Sequence, residues 1–224
     1  MLADTGIEGF KILTSLLLSS VCLTCGREPE PGTALCATCR GRSRSARARL
    51  DPGRGGVEAV LAAGPYDGVA GELVRALKFR RHLAAAGEAA AMIERALVTV
   101  GDDWLDGSPT LTPVPPAPLR WLVRGFDPAE EIAIALADRL HLPFERLLTR
   151  KQGPRQTARG RVERLASPPL IGLETEVGPT PREVLLVDDV VTTGATLAAC
   201  AEALRRGGVE RVRAVCPARA GSRG

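Results

Sequence analysis

The sequence feature that most constrains the fold is an apolar run, followed by two acids and a string of small residues, between Val184 and Thr196. Val184 to Val187 are four consecutive apolar residues, which predicts a strand buried on both faces, as in a parallel sheet. Asp188 and Asp189 follow where this strand emerges. The small residues after them predict a tight turn and then a helix over about 196–206. We therefore expect a strand–loop–helix unit of an α/β fold.

The turn has the composition of an anion-binding loop. Its small residues allow successive backbone N–H groups to surround a phosphate at the start of the following helix. The hydroxyl groups of Thr192, Thr193 and Thr196 add further donors. Asp188 and Asp189 would repel a phosphate, so their natural partners are hydroxyl groups or a cation bound to the phosphate. A ribose 5-phosphate fits this arrangement. The alternative is an ordinary α/β strand with surface aspartates and a tight turn.

The same run resembles the loop of type I phosphoribosyltransferases that binds 5-phosphoribosyl 1-pyrophosphate (PRPP). The resemblance implies that the acidic pair holds the ribose 2′ and 3′ hydroxyl groups and that the loop holds the 5′-phosphate. The residues assigned to PRPP in this way are Asp188, Asp189, Val190, Thr192, Thr193, Gly194, Ala195 and Thr196.

Three further stretches resemble the ComF (competence protein F) branch of this superfamily. They are Tyr66 with Arg75 to Phe79, Pro113-Val114-Pro115 with Arg124-Gly125-Phe126 and Glu130 to Ala133, and the set Arg150, Gln156 and Arg164. The chain departs from the family pattern at two places. Asp127-Pro128 stands where the family usually has Asn-Gln, and Ser167 stands where a late Asn is common.

A PRPP site must also hold the pyrophosphate group. The loop after the strand at Leu111 lies at the carboxyl end of the sheet, and its residues Val114 and Pro115, with Arg124, are candidates for this contact. Arg150, in the long loop with Lys151 and Arg155, is a candidate to close over the site. Transfer at the anomeric carbon needs Mg²⁺ and arginines to neutralise the leaving group. The predicted catalytic set is Asp188, Asp189, Arg124 and Arg150. Alternatively, both arginines are surface or helix-capping residues.

Two C-x-x-C pairs, Cys22/Cys25 and Cys36/Cys39, lie ten residues apart near the N-terminus. Four thiolates at this spacing predict a tetrahedral structural zinc site in a module with almost no apolar core. The ComF architecture includes the same four-cysteine module. Two disulfides are the alternative, which a cytoplasmic chain would not keep. A redox C-x-x-C is a weaker alternative, because neither pair has a strand–helix context.

The segment after the cysteines is rich in arginine, from Arg40 to Arg54. One interpretation is a solvated, flexible tether. The other is a basic arm that binds nucleic acid beside the zinc module. The ComF resemblance, through its link to natural competence, implies single-stranded DNA or a helicase-like protein as the partner.

The predicted organisation is an α/β fold with a doubly wound parallel sheet, preceded by a small zinc module. Its parts are a short N-terminal helix (1–21), the zinc module (22–40), a basic linker (41–56) and a phosphoribosyltransferase-like domain (57–224). Strands are predicted at 57–63, 111–114, 144–148, 184–187 and 209–216, and helices at 71–80, 83–100, 127–140 and 196–206.

The apolar stretch at 12–18 is too short to span a bilayer. Asp4 and Glu8 stand where a secretory signal would have basic residues, so we expect a cytoplasmic protein. Two functions of different classes follow from the sequence. One is a phosphoribosyltransferase that uses PRPP, Mg²⁺ and an unidentified acceptor. The other is a non-catalytic accessory protein of DNA uptake that retains the PRPP fold.

Overall fold

The computed structural model describes residues 21–117, 125–150, 170–174 and 179–221. Five helices and eight strands lie in these ranges, with a 3₁₀ turn at Asp102–Trp104. The helices are α1 (Ala37–Arg44), α2 (Val69–Arg80), α3 (Ala84–Val100), α4 (Pro128–Leu140) and α5 (Ala195–Arg206). The strands are β1 (Arg49–Pro52), β2 (Ala59–Pro65), β3 (Thr110–Pro113), β4 (Leu148–Arg150), β5 (Ile171–Leu173), β6 (Glu183–Val187), β7 (Val190–Val191) and β8 (Arg211–Arg219).

The main sheet has the strand order β1-β2-β8-β6-β3, and the short β7 pairs with the end of β8. All of its pairings are parallel except that between β1 and β2. The predicted strand at 184–187 corresponds to β6, which lies between β8 and β3. Leu186 aligns with Ala214 on one side and with Thr112 on the other. This interior position explains why the strand is a continuous apolar run.

Helices cover both faces of the sheet. Successive side chains of a strand point to opposite faces, so a continuous apolar run needs cover on both. Leu185 and Val187 belong to a core formed with α2, α3 and α4, whereas Val184 and Leu186 belong to a second core formed with α5. Full burial stabilises each such side chain by about 1.5–3 kcal/mol relative to exposure. The predicted α/β fold with a doubly wound parallel sheet is confirmed as a mixed α/β fold with a mostly parallel sheet, whose antiparallel edge strand β1 was not predicted.

The prediction of a strand at 144–148 was wrong in its extent. Phe144 forms a single parallel bridge to Leu111, and the strand proper, β4, begins at Leu148 and pairs with β5 in a separate hairpin. Contacts with β3 continue up to Leu147, whose N–H group donates to the hydroxyl group of Thr112 at 3.1 Å. The partner of this N–H group is a side chain rather than the backbone of β3, so the regular strand pairing does not extend over 144–147.

The four-cysteine module packs on the body of the protein. Leu23 and Leu35 are fully buried in the same core as α2 and α3. The guanidinium group of Arg42 donates to both carboxylate oxygens of Glu72 in α2, at 3.3 and 3.0 Å. The module and α2 therefore share one hydrophobic core and one ion pair.

The segment predicted as a linker at 41–56 contains regular structure. It includes the end of α1 and the strand β1, which pairs with β2 from Arg49↔Ala62 to Pro52↔Ala59. Asp51 in β1 accepts a hydrogen bond from Arg49 at 2.8 Å and forms an ion pair with Arg219 of β8, also at 2.8 Å. These contacts hold β1 against the sheet, so this part of the segment is not a flexible tether. The domain boundaries themselves stay a prediction.

The helix predicted at 1–21 lies outside the described residues except for Val21. Across the described ranges, none of the helices combines the length and the hydropathy that a bilayer span requires.

Candidate functional site

A cleft of about 450 Å³ opens at the carboxyl ends of the parallel strands. Tyr66 follows β2, Val114 follows β3 and Asp188 follows β6, and all three line it. This is the edge at which open α/β sheets bind ligands. The other lining residues are Lys78, Pro115, Pro116, Ala117, Phe126, Asp127, Pro128, Ala129, Arg150, Asp189, Val190, Thr192, Thr196 and Ala220.

Asp188 is held rigidly where β6 ends. Its N–H group donates to the carbonyl oxygen of Val215 at 3.1 Å, and its Oδ1 atom accepts from the N–H group of Asp189 at 2.7 Å. Burial and the neighbouring Asp189 carboxylate raise the pKa of Asp188 to about 7. The side chain is therefore poised between its acid and its base near neutral pH.

Asp189 forms an ion pair with Lys78, whose Nζ atom lies 2.6 Å from Oδ1 of Asp189. The two side chains are only 13% and 18% exposed, so this pair is more sheltered than the surface pairs of the chain. Lys78 comes from the last turn of α2, 111 residues away in sequence. Sequence reasoning did not place it in the site. The feature that could have indicated it is that Lys78 belongs to the Arg75 to Phe79 stretch and is one of only three lysines in the chain.

The small-residue turn connects β7 to α5. Gly194 has φ +78°, the left-handed region that favours glycine, and its carbonyl oxygen accepts the first helical hydrogen bond, from Ala198. The hydroxyl oxygen of Thr193 accepts from the N–H group of Ala195 at 3.4 Å. The residues of the predicted anion-binding loop divide into two groups. Thr192 and Thr196 line the cleft, whereas Thr193, Gly194 and Ala195 belong to the same turn and are not lining residues.

The predicted pyrophosphate loop lies beside this turn. Its backbone is anchored by the N–H group of Val114, which donates to the carbonyl oxygen of Val187 at 2.9 Å. Val114 and Pro115 both line the cleft, and Arg150 reaches it from the end of β4. Several predicted residues lie outside the described ranges, namely Arg124, Lys151, Arg155, Gln156, Arg164 and Ser167.

Asp127 is a cleft residue that the sequence analysis named only as the start of a helix and, with Pro128, as a departure from the ComF pattern. It is the N-cap of α4, and its Oδ1 atom accepts from the N–H group of Ala129 at 3.2 Å. The residue is 7% exposed, and its Oδ2 atom has no hydrogen-bond partner among the described residues. Burial, and then the charges of Asp189, Glu130 and Glu131, raise the pKa of Asp127 to about 7. No sequence pattern signals this, because it depends on where α4 meets the cleft.

The four cysteines form a second candidate site, away from the cleft. Their sulfur atoms all lie within 4.8 Å of one another, and those of Cys25 and Cys36 are 3.6 Å apart. Tetrahedral zinc with Zn–S bonds of about 2.3 Å separates its sulfur ligands by about 3.8 Å, so the cluster fits such an ion. Burial and the neighbouring cysteines raise the pKa of Cys39 to about 12, so a thiolate at Cys39 is favoured by a bound cation. The cluster could hold a metal ion such as zinc.

Comparison with known proteins agrees with the chemistry of the cleft. Residues 122–224 match the family model of the phosphoribosyl transferase domain. The match covers just under half of the chain and includes Asp188 to Thr196. It supports the type I phosphoribosyltransferase superfamily for this part of the chain, and it does not distinguish the ComF branch.

Two solved structures are similar to the chain. The protein TT1426 from Thermus thermophilus has 19% identity, covers 60% of this chain and 74% of its own, and gives a TM-score of 0.38. A purine phosphoribosyltransferase from Pyrococcus horikoshii has 18% identity, covers 58% of this chain and 81% of its own, and gives a TM-score of 0.32. No curated protein is significantly similar to the chain.

Proposed function

We propose that the cleft binds PRPP with Mg²⁺ and that the protein transfers the phosphoribosyl group to an acceptor. One observation carries the proposal. The acidic pair and the small-residue turn, which the chain places in sequence after β6, also lie together at one cleft of about 450 Å³. A cavity of this size suits a single small molecule. The acceptor is not specified by the described residues.

Asp188 and Asp189 would accept hydrogen bonds from the two ribose hydroxyl groups. Both lie ahead of the turn rather than inside it, so they avoid the 5′-phosphate that the turn would hold. Lys78, which is paired with Asp189 at 2.6 Å, holds this carboxylate in position. Thr192 and Thr196 would contact the phosphate from the cleft wall.

The pyrophosphate would occupy the part of the cleft lined by Val114 to Ala117, with Arg150 nearby. Within the described ranges, the four cysteines are the only group of three or more metal-ligating side chains that converge within 4.8 Å. Mg²⁺ is usually bound by one or two carboxylates together with substrate phosphates, so it would enter the cleft on the phosphate oxygens of PRPP. The bound ion would neutralise charge on the leaving group.

In the transfer, the bond between the anomeric carbon and a pyrophosphate oxygen breaks, and the oxygen keeps the electron pair. An electron pair of the acceptor forms the new bond to the carbon, and the acceptor's proton leaves to a base. The contribution of the protein is to hold the ribose and the pyrophosphate in place and to exclude water. The same four candidates, Asp188, Asp189, Arg124 and Arg150, are the proposed catalytic set.

Calorimetric titration of ribose 5-phosphate and PRPP, with Mg²⁺ present, tests the proposal. Asp188→Ala and Asp189→Ala each remove a charged acceptor, which costs about 1.5–3 kcal/mol, or roughly ten- to a hundredfold in affinity. Asp138→Ala is the matched control, because Asp138 is an exposed aspartate in α4 outside the cleft. Wild-type protein that binds neither ligand would refute the proposal, as would cleft variants that bind like the control.

The second candidate is a ComF-type accessory role in DNA uptake, with single-stranded DNA or a helicase-like protein as partner. The observation in its favour is a groove of about 740 Å³ that shares Tyr66 and Ala220 with the cleft and is lined by Arg47, Arg49 and Arg219. The charge of the predicted arm is partly neutralised, however. Ion pairs join Arg40 to Glu30, Arg42 to Glu72 and Arg49 to Asp51.

Binding of labelled single-stranded DNA at increasing salt tests this second role. A basic groove that contacts phosphates loses affinity steeply with salt, because counterions are released on binding. Arg47→Gln should weaken binding, whereas Arg182→Gln, an exposed arginine away from the groove, should not. Equal binding by both variants, or no salt dependence, would argue against the role.

A further inference from the structure

Asp127 combines deep burial with an oxygen atom that has no partner among the described residues. Three buried side-chain oxygens of those residues lack a hydrogen bond, on Glu30, Asp51 and Asp127. The first two belong to ion pairs, with Arg40 and Arg219. Of these three buried oxygens of the described residues, only Oδ2 of Asp127 has neither a hydrogen bond nor an ion pair. A buried polar atom without a partner is destabilising, and Asp127 lines the cleft, so a ligand there can satisfy it.

The surroundings of Asp127 are dominated by other acids. The charges that act on it are those of Asp189, after β6, and of Glu130 and Glu131 of α4, of which Glu130 is paired with Arg146. The other charged residues that line the cleft are Asp188, Lys78 of α2 and Arg150 of β4. Lys78 is already paired with Asp189. Burial and the acidic neighbours both favour the neutral carboxyl group, which is why the pKa of Asp127 rises to about 7.

We propose that Asp127 is a binding residue of the cleft that, when protonated, donates a hydrogen bond from Oδ2 to a phosphoryl oxygen of the ligand's pyrophosphate group. This inference rests on the proposed PRPP function. The ribose and the 5′-phosphate are assigned to residues 188–196, so the remaining phosphoryl oxygens lie toward the loop after β3 and the start of α4. An ionised Asp127 would add a negative charge beside a polyanion, whereas the neutral acid supplies a donor.

The proposal couples ligand binding to proton uptake. In the free protein, part of the Asp127 population is ionised near neutral pH, and these molecules must take a proton from solvent to make the contact. The pyrophosphate charge raises the pKa of Asp127 further in the complex. Affinity for pyrophosphate should therefore weaken as pH rises through about 7 and beyond, by up to about tenfold per pH unit.

Two variants separate this role from the capping role of Asp127, since Asn and Ser are both good N-caps. Asp127→Asn keeps a permanent N–H donor at the position of Oδ2. Asp127→Ser keeps the cap and removes the second polar atom. Asp138→Asn, in the same helix and exposed, is the matched control for the change of charge.

The experiment is calorimetric titration of inorganic pyrophosphate and, separately, ribose 5-phosphate with Mg²⁺, from about pH 6 to about pH 8.5, a range that brackets the raised pKa. Each affinity is divided by that of Asp127→Asn at the same pH, which cancels the titration of the ligand itself. Two buffers of different ionisation enthalpy then give the number of protons taken up.

We expect the wild-type affinity for pyrophosphate, relative to Asp127→Asn, to fall with pH, and Asp127→Ser to bind about ten- to a hundredfold more weakly near pH 6. Ribose 5-phosphate should show neither effect. The inference is overturned if wild type, Asp127→Asn and Asp127→Ser bind pyrophosphate alike, or if Asp138→Asn loses the pH effect as Asp127→Asn does. If wild type binds neither pyrophosphate nor ribose 5-phosphate, the proposed function and this inference both fail.

Discussion

The four-cysteine cluster and the cleft both gather ionisable groups in partly buried surroundings, yet they are built in opposite ways. The four sulfur atoms converge on one point, within 4.8 Å of one another, and come from a short segment, Cys22 to Cys39. The carboxylates of Asp127, Asp188 and Asp189 come from two distant segments and surround a cavity of about 450 Å³ instead.

This difference shows what each site can bind. Convergent donors at bonding distance from a common centre define a site for a single ion, and the local spacing of the chain is enough to build it. Dispersed donors around a cavity define a site for a molecule. They need the sheet topology to bring them together, since Lys78 and Asp189 meet across 111 residues.

The largest expected effect tests the convergent site. Cys36→Ala removes one of four ligands, so we expect bound zinc to fall from one per chain to a small fraction and the free energy of unfolding to drop by more than about 4 kcal/mol. Metal analysis of protein purified without chelator, and urea unfolding, measure both. Cys200→Ala is the control, because Cys200 is equally buried but lies outside the cluster. Equal zinc content in both variants, or wild-type protein with four free thiols and no metal, would contradict the predicted zinc site.

The next effect concerns the dispersed site. Asp127 has its pKa raised to about 7 in the folded protein, so the native state holds a proton that the unfolded chain releases above its usual pKa near 4. The free energy of unfolding should therefore decrease as pH rises from about 4 to about 7, by up to about 1.4 kcal/mol per pH unit. Asp127→Asn should remove this contribution, so its advantage over wild type should grow to about 2–4 kcal/mol at about pH 8. Urea unfolding at several pH values checks this, and a constant difference between the two proteins would contradict it.

A smaller effect comes from two glycines at opposite ends of α5. Gly194 (φ +78°) and Gly208 (φ +98°) both have the left-handed conformation, and an added Cβ atom would meet nothing within 4 Å at either position. Valine at either position should cost about 1–3 kcal/mol through backbone strain. Only Gly194→Val should also weaken ribose 5-phosphate binding, because a strained backbone at Gly194 displaces the N–H groups of the turn that is proposed to hold the phosphate. Thermal unfolding and calorimetry separate the two effects, and equal ligand affinity in both variants would place the phosphate elsewhere.

The smallest effect tests how the cysteine module is held to the body. Glu72→Gln breaks the exposed ion pair with Arg42 and leaves the contact of Arg42 with the sulfur atom of Cys39 in place, and we expect a loss of at most about 1 kcal/mol. Zinc content should not change, because the module is held mainly by buried side chains such as Leu23 and Leu35. A larger loss of stability in urea unfolding would show that the ion pair is a main contributor to docking.

Sequence alone predicted the parts of the fold whose signal is local. The apolar run of β6, the amphipathic period of α4 and the spacing of the cysteines each specify a structure within about 20 residues. The acidic pair and its turn were predicted for the same reason. These are features that neighbouring residues decide.

What sequence could not predict depends on contacts between distant segments. Lys78 reaches the cleft only because α2 packs against the sheet. The Oδ2 atom of Asp127 has no hydrogen-bond partner among the described residues because α4 begins at the cleft wall. Phe144 forms a single bridge to β3, whereas the strand that begins four residues later, β4, pairs with β5. None of these contacts leaves a periodic pattern, because each involves one or two residues brought together by topology.

The strand β1 has a practical consequence for dissecting the protein. A truncation after residue 54, chosen to separate a basic arm from the domain, would also remove the edge strand that covers β2. The exposed backbone N–H and C=O groups of β2 would then be free to pair with a second molecule. Such a fragment should self-associate, and a loss of DNA binding in it would not identify the arm. Point substitutions at individual arginines, with β1 left in place, are the informative way to dissect this segment.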